Sequence, residues 1–410
     1  MKSGWVTKKL GEVCEIKLGK TPPRDDYSYW DRQKSSGHVW VSISDMASLS
    51  DGQIIDSKEY ITNKALEEAG VPIVEKGTLL LSFKLTIGRT AIAGRDLSTN
   101  EAIAALPLKQ EFAQQIDLHY LVLYFAAFDW NLFAAKDDKM LGKTLNKKRL
   151  ATVSIVIPPL AEQKRIVAKI DAAFEKIDRL KANAEKNLAN AKELFQSALD
   201  EAMRPKKGWV EKRLGEVCSK IGSGATPRGG KASYCADGVS LIRSMNVYDC
   251  AFEYSELAHI NDIQAKELAN VTIETNDVLI NITGASVARC CVVPSDVLPA
   301  RVNQHVAILR IADERFLNHD FLCYSLVAPS KKSLLLGIGE AGSTRQALTK
   351  ADLSSFKIEI PSLSEQKRIT AMVGTLKQAN ETLQQNYARQ IADCAEMRQA
   401  ILREAFEGRL

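Results

Sequence analysis

The sequence predicts an α+β protein: two globular mixed α/β domains separated by two long antiparallel coiled-coil helices, arranged as a pseudo-two-fold internal repeat. Three observations predict it. The 410-residue chain is written twice, at an offset near 203 positions, which is far too long a period for a solenoid. Each copy closes with a proline-free run of about forty residues whose apolar positions recur at three- and four-residue steps, the seam of a coiled coil. Each copy opens with short strand-like runs punctuated by Gly and Pro turns.

The repeat is plainest at its start. Residues 4–14 and 208–218 differ only at Thr7/Glu211 and Lys9/Arg213, an offset of 204. Gly19-Lys20-Thr21-Pro22 then answers Gly224-Ala225-Thr226-Pro227. Further on, 77–94 parallels 277–293, 98–106 parallels 301–309, and the strand-to-helix passage at 154–167 parallels 356–370. Residues 193–203 loosely match 397–406. The chain therefore divides as 1–157, 158–204, 205–360 and 361–410, globule, rod, globule, rod.

Within the globules, 39–43, 78–82, 278–280 and 306–309 have strand character, and 154–157 and 357–360 read as strands closed by Pro158-Pro159 and Pro361. Residues 118–128 and 316–327 read as short helices. The first rod runs from Glu162 through Ile166, Ile170, Ala173, Ile177, Leu180, Ala184, Leu188, Ala191, Leu194 and Ala198. The second runs from Glu365 through Ile369, Val373, Leu376, Leu383, Tyr387, Ile391, Cys394 and Ile401, with Ser362 and Glu365 at capping-box spacing. Pro159 takes the cap position in the first copy, where Glu162 still favours the helix dipole. Residues 203–208 (Met-Arg-Pro-Lys-Lys-Gly) end the first rod as a linker. Forty residues at 1.5 Å each span roughly 60 Å. If the two stripes bury each other antiparallel, the globules lie at opposite ends of the rods.

Composition is that of a water-soluble globular chain, 45% hydrophobic and 26% charged. No apolar run reaches membrane-spanning length, and the opening residues lack the apolar core of a signal peptide, so a cytoplasmic protein without membrane contact is expected. The eight cysteines show no Cys-x-x-Cys pair and no zinc-ligand spacing to histidine; they read as reduced, small apolar residues, with no metal site. A net charge of +5 permits nucleic-acid binding without demanding it.

The paired openings, the Gly-x-Thr-Pro turns and the two Ile-Pro-x-Leu-x-Glu-Gln-Lys-Arg-Ile runs (157–166 and 360–369), each leading into a long seam helix, resemble the specificity (S) subunits of type I restriction–modification systems. The resemblance covers essentially the whole chain. It implies that 1–157 and 205–360 are target recognition domains, each reading one half of an interrupted double-stranded DNA target, and that 158–204 and 361–410 are conserved spacer helices. It further implies two methyltransferase (M) subunits and restriction (R) subunits as partners. Catalysis then belongs to those partners, and so do AdoMet, ATP and Mg; the chain itself carries no cofactor and is not an enzyme. No family-wide base-reading motif transfers, so DNA contacts must come from the chemistry of the residues.

Rival chemistries fail on spacing. Gly19-Lys20-Thr21 and Gly142-Lys143-Thr144 lack the earlier glycine of a phosphate loop, having Cys14 and Asp137 there. Gly337, Gly339 and Gly342 formally fit a dinucleotide fingerprint but read as a loop. No Asn-Pro-Pro-Tyr-like methyltransferase motif appears, and Glu162-Gln163-Lys164, repeated at Glu365-Gln366-Lys367, reads as structural. Basic and polar loop residues are the candidates for DNA. In the first globule they are Lys20, Arg24, Lys34, Lys84, Arg89, Lys139, Lys143 and Lys147; in the second, Arg228, Lys231, Arg243, Asn246, Arg289, Thr344, Arg345 and Gln346. Lys and Arg neutralise phosphates, while Arg, Asn and Gln also pair bidentately with purine edges. Tyr27, Tyr29 and Trp30 lie among the first set and suit packing on sugars, while Trp5, Trp209 and the Gly-x-Thr-Pro turns read as anchors. The competing class is a coiled-coil assembly scaffold that docks partner proteins without reading DNA.

Overall fold

In a computed structural model of the chain, the described residues are 4–47, 52–135, 145–227, 229–230, 234–340 and 347–409. They form two compact units, Met1–Asn183 with Gln390–Leu410, and Ala184–Arg389. Each unit holds a globule, the start of one long helix and the end of the other.

The first unit contains a five-stranded sheet in the order Lys17–Leu18, Ile103–Leu106, Leu79–Ser82, Thr90–Ala93, Gln53–Ile54. A three-stranded sheet places His38–Val41 between antiparallel Glu59–Ile61 and parallel Ser98–Thr99. The second unit repeats the plan. Its larger sheet runs Cys218–Ser223, Val306–Ile311, Val278–Asn281, Cys290–Val292, and its smaller one sets Val239–Ile242 between antiparallel Ala258–Ile260 and parallel Ala300–Val302. Burial on both faces explains the uninterrupted apolar central strands. Leu79 and Leu81 face the core beneath the helices while Leu80 faces the smaller sheet. Val278, Leu279 and Ile280 alternate in the same way.

The repeated opening has a mechanical reason. Val6–Lys9 pairs antiparallel with Ser154–Ile157, and Val210–Arg213 with Lys357–Ile360, so each globule begins on the strand that leads into its long helix. A single helical turn follows, Leu10–Val13 or Leu214–Val217, with both of its apolar residues buried. Glu12 and Glu216 accept the backbone N–H of Lys9 and Arg213 at 2.7 Å, closing the turn's exposed end. Gly11 is required because a Cβ there would stand 2.9 Å from that of Ala151. Trp209 anchors edge-on against Phe321, centroids 5.9 Å apart.

The long helices span Leu160–Ala202 and Leu363–Phe406, each beginning two residues before the glutamate that marks it in sequence. In the first unit the end of the second helix runs antiparallel to the start of the first. Arg398 grips Asp178 at 2.5 and 2.6 Å over the Phe174 ring, and Leu402 and Ala405 join the core that holds Ile166 and Ile170. Phe406 packs edge-on against Tyr120 and Tyr124 at 5.3 and 5.2 Å. In the second unit Leu199, Ala202 and Met203 join the core of Ile369 and Val373. Leu199/Leu402, Ala202/Ala405 and Met203/Phe406 stand at the repeat offset of 203, so the loose sequence match of the two helix tails is a match of function.

The seam departs from its expected path. Ile166, Ile170, Ile177, Ala184 and Ala191 are buried on it, but Leu180 is 54% and Leu194 66% exposed. In the second helix Leu376 and Leu383 are also exposed. The half-buried track there runs one position on, through Lys377, Asn380 and Gln384. Counting only apolar residues missed it because these polar groups are satisfied: Asn380 donates to the Ala191 carbonyl at 2.7 Å and Lys377 to that of Cys250 at 2.6 Å. A second correction concerns Gly337 and Gly339, expected in a loop. They lie inside the helix Pro329–Glu340, where Gly339 is buried and its carbonyl accepts the N–H of Ala347 at 3.2 Å. No helix among the described residues is long and apolar enough to cross a membrane.

Candidate nucleic-acid interface

Each globule is keyed to its helix by one buried glutamine. Gln163 is fully buried; its carboxamide oxygen accepts Asp117 N–H at 2.9 Å, and its NH₂ donates to the carbonyls of Gln115 (2.9 Å) and Pro158 (2.8 Å). Gln366 repeats this with Asn318 N–H (2.8 Å) and the carbonyls of Phe316 and Pro361 (both 2.9 Å). One side chain thus satisfies three backbone groups where helix, loop and strand meet. The repeated Glu-Gln-Lys-Arg is this joint, and it leaves the loops of each globule on a rigid base.

In the first unit one candidate, Arg24, sits in an aromatic cluster. Arg24 lies over Trp30 and Trp40, 4.0 and 4.8 Å from their centroids, and forms a two-pronged pair with Glu59. Trp30 and Trp40 meet edge to face at 5.1 Å and donate to the carbonyls of Pro23 and Lys20. Arg32 over Tyr27 and Lys58 complete the rim of a 340 Å³ cavity. Tyr27 is 67% exposed, with Arg32 over one face of its ring, whereas Trp30 is held in the cluster. The Gly-x-Thr-Pro turn supports this loop: a Cβ on Gly19 would fall 2.2 Å from the Thr99 carbonyl oxygen, and Thr21 donates to Glu101, which holds that carboxyl below its ordinary range. Lys20 is exposed. Lys34 is exposed but tethered, donating to the Ser57 carbonyl at 2.7 Å over the Tyr60 ring. Lys84 lies beside Phe83, and Lys147 is exposed on the short helix Lys147–Leu150.

In the second unit a 480 Å³ groove is lined by Ser244, Met245, Tyr248, Thr283, Arg289 and His305, among others. Thr283, Gly284, Ala285 and Ser286, which follow strand Val278–Asn281, form one side of its lining. Asn281 is buried and donates to the carbonyls of Ser244 (2.8 Å) and Val247 (3.3 Å), fixing the loop that presents Met245 and Tyr248. Arg289 lies over the Tyr248 ring at 4.6 Å. His305 Nδ1 is 2.5 Å from the Thr283 hydroxyl. Leu348 donates to the Ile282 carbonyl and Leu145 to that of Phe83, so in both units the chain re-enters beside the loop following the central strand.

The structure brings Arg289 into this groove but takes a neighbour, Asn246, out of direct readout. Asn246 is completely buried: its oxygen accepts Arg243 N–H at 3.1 Å and its nitrogen donates to the Glu253 carbonyl at 2.8 Å, so no edge of the amide is left for a base. Arg243 donates to the Glu256 carbonyl. Arg89, the counterpart of Arg289, is tethered by a hydrogen bond to the Ile43 carbonyl at 2.9 Å. Lys139, Lys143, Arg228, Lys231, Thr344, Arg345 and Gln346 lie outside the described residues. Met245, Tyr248, Thr283 and His305 carry no sequence signal that points to this groove. No cluster of three or more His, Cys, Asp or Glu suited to a metal ion occurs among the described residues.

Comparison with known proteins agrees with this duplicated plan. The chain matches the family described as the type I restriction modification DNA specificity domain twice, over 2–189 and 206–390. It is 25% identical over 382 residues to the type I restriction enzyme MjaIX specificity subunit of Methanocaldococcus jannaschii, covering 87% of this chain and 83% of that one. It is 23% identical over 422 residues to the EcoBI specificity subunit of Escherichia coli, covering 90% and 85%. Among solved structures, a chain from work on complex assembly and conformational transition of the type I R-M system superposes with a TM-score of 0.75 at 23% identity, over 100% of this chain and 99% of that one. The HsdS subunit from Thermoanaerobacter tengcongensis gives 0.57 at 24%, over 100% and 98%. With the specificity domain present in both halves and 87–90% of its length shared with specificity subunits, this chain belongs to the type I restriction–modification specificity (S) subunit family.

Proposed function

We propose that this chain is the DNA-recognition subunit of a type I restriction–modification complex, reading a bipartite interrupted target and positioning methyltransferase and restriction subunits. The observation that carries the reading is that one scaffold, built twice, presents two different surfaces. The first unit shows a cation–aromatic cluster around Arg24, Arg32 and Tyr27; the second shows an open groove with Arg289, Thr283 and His305. Equivalent frames carrying different donors suit two different half-sites. Phosphates supply affinity through exposed residues such as Lys20 and Lys147, and base edges supply discrimination. The exposed leucines Leu180, Leu194, Leu376 and Leu383 fit rods that partner subunits cover. Chemistry on DNA belongs to those partners.

The test is to express the chain with its methyltransferase subunit in a host lacking other methylases and map modified adenines across the genome. An interrupted site with two unlike halves is expected. Modification at a continuous site overturns the reading, and a methylase whose sites are the same with and without this chain establishes the scaffold reading instead.

A further inference from the structure

Arg289 is the arginine that lines this groove, and its guanidinium is uncommitted, unlike those of other arginines in the second unit. Arg243 donates to the Glu256 carbonyl, Arg301 to those of Ala265 and Ala300, and Arg310 to Asp277 and Thr272. Its counterpart in the first unit, Arg89, donates to Ile43. Among the described residues, no acceptor pairs with the Arg289 guanidinium; it is held only by the face of Tyr248, 4.6 Å from the ring centroid. The backbone aims it. Ala288 has φ 63°, a left-handed conformation that costs a residue bearing a Cβ, and the equivalent position in the first unit is Gly88. Strain of this kind persists only where the surroundings impose it, here through full burial of Ala288 and its N–H donated to Asn281 at 2.9 Å.

A relay of hydrogen bonds prepares the groove beside it. Thr226 donates its hydroxyl to the Gln304 carboxamide oxygen, so the Gln304 NH₂ donates to His305 Nε2 at 3.0 Å. The ring proton then sits on Nδ1 and is donated to the Thr283 oxygen at 2.5 Å. The Thr283 O–H is left as a donor into the groove. In the first unit Glu101 replaces Gln304 and Ala102 replaces His305, so the relay cannot form there.

We infer that Arg289 is a specificity-determining residue of the second unit, reading a guanine through its paired O6 and N7 acceptors, with Tyr248 holding the guanidinium plane. The inference rests on the DNA-recognition reading above. Guanine is favoured over phosphate because the fork is planar, stacked and already ordered, and because it lies in a concave groove with an apolar neighbour, Met245, and an oriented hydroxyl donor, Thr283. A phosphate needs only a protruding charge.

The experiment compares adenine-methylation maps of the wild-type complex with Arg289→Ala, Arg289→Lys and Arg289→Gln. Expected for Arg289→Ala is a loss of discrimination at one G·C position of one half-site, by about tenfold to a hundredfold, with the other half-site and the gap unchanged. Lysine should not restore it, since a point charge cannot reproduce the fork. Glutamine should shift the preference at that position toward adenine, an outcome that a poorly folded variant could not produce. Two results overturn the inference: weaker modification at every site alike with lysine restoring it, which marks a phosphate contact, or maps that match the wild type. A wild-type map without an interrupted site overturns the DNA-recognition reading itself, and this inference with it.

Discussion

Replacing Leu402 or Leu199 with alanine tests whether each helix tail closes the core of its unit. Leu402 is 3% and Leu199 1% exposed, in the cores of the first and second unit respectively. Leu→Ala removes three buried carbons, a transfer loss of about 2.4 kcal/mol at about 0.8 per carbon. The cavity left behind adds to this, and measured costs run to about 2–5 kcal/mol. At about 1.4 kcal/mol per tenfold, local opening should increase by about thirtyfold or more. The assay is hydrogen exchange read by mass spectrometry, which follows each unit separately where a single melting temperature would mix them. Leu402→Ala should accelerate exchange in helix Leu118–Ala127 and around Ile166–Ile170 while strands Val278–Asn281 and Val306–Ile311 keep their rates. Leu199→Ala should do the reverse. If either variant loosens both units equally, or changes protection by less than about threefold, the tails are not closing these cores and the reasoning fails.

Three further outcomes follow from the same contacts. Gln366→Ala strips partners from one backbone N–H and two carbonyls, and at about 1–3 kcal/mol per buried unsatisfied group should cost more than about 3 kcal/mol in denaturant titration of the second unit; Gln163→Ala should do the same to the first, and a cost below about 1 kcal/mol would show that water replaces the amide without loss. A fragment of residues 1–204 lacks Leu402, Ala405 and Phe406 but carries their counterparts Leu199, Ala202 and Met203, so sedimentation should show a dimer in which each tail closes the other copy's core, and with methyltransferase present the mapped site should be an interrupted palindrome; a folded monomer refutes it. Burial pushes the Cys14 and Cys291 thiols up to about 12, leaving them protonated at pH 8, so both should resist iodoacetamide in the native protein and react fully in denaturant, as peptide mass spectrometry will show.

Much of the site's frame is legible in the sequence. The paired openings and the Glu-Gln-Lys-Arg runs stand where each globule meets its long helix, but the sequence does not display which side chain does the joining. Sequence order made Glu162 and Glu365 conspicuous as dipole partners, yet the buried Gln163 and Gln366 carry the hydrogen bonds. Asn246 looked like a base reader because its amide chemistry is right. Its neighbours on the strand-to-loop passage consume that chemistry, and a sequence does not display which carbonyls come within reach.

The sequence by itself determined the duplication, the central strands, the approximate ends of the long helices and the family. All of these depend on signals that are local or that compare one stretch with another: periodicity, turn residues and repeated motifs. Only the tertiary structure decided which helix tail closes which core, why the second seam passes through Asn380 and Gln384 rather than Leu376 and Leu383, and why Arg289 remains uncommitted while Arg89 does not. Each of those depends on partners far away along the chain. Burial and hydrogen-bond satisfaction are properties of pairs of groups brought together by folding, and a polar side chain that finds its partner can occupy a place that hydrophobicity alone assigns to leucine.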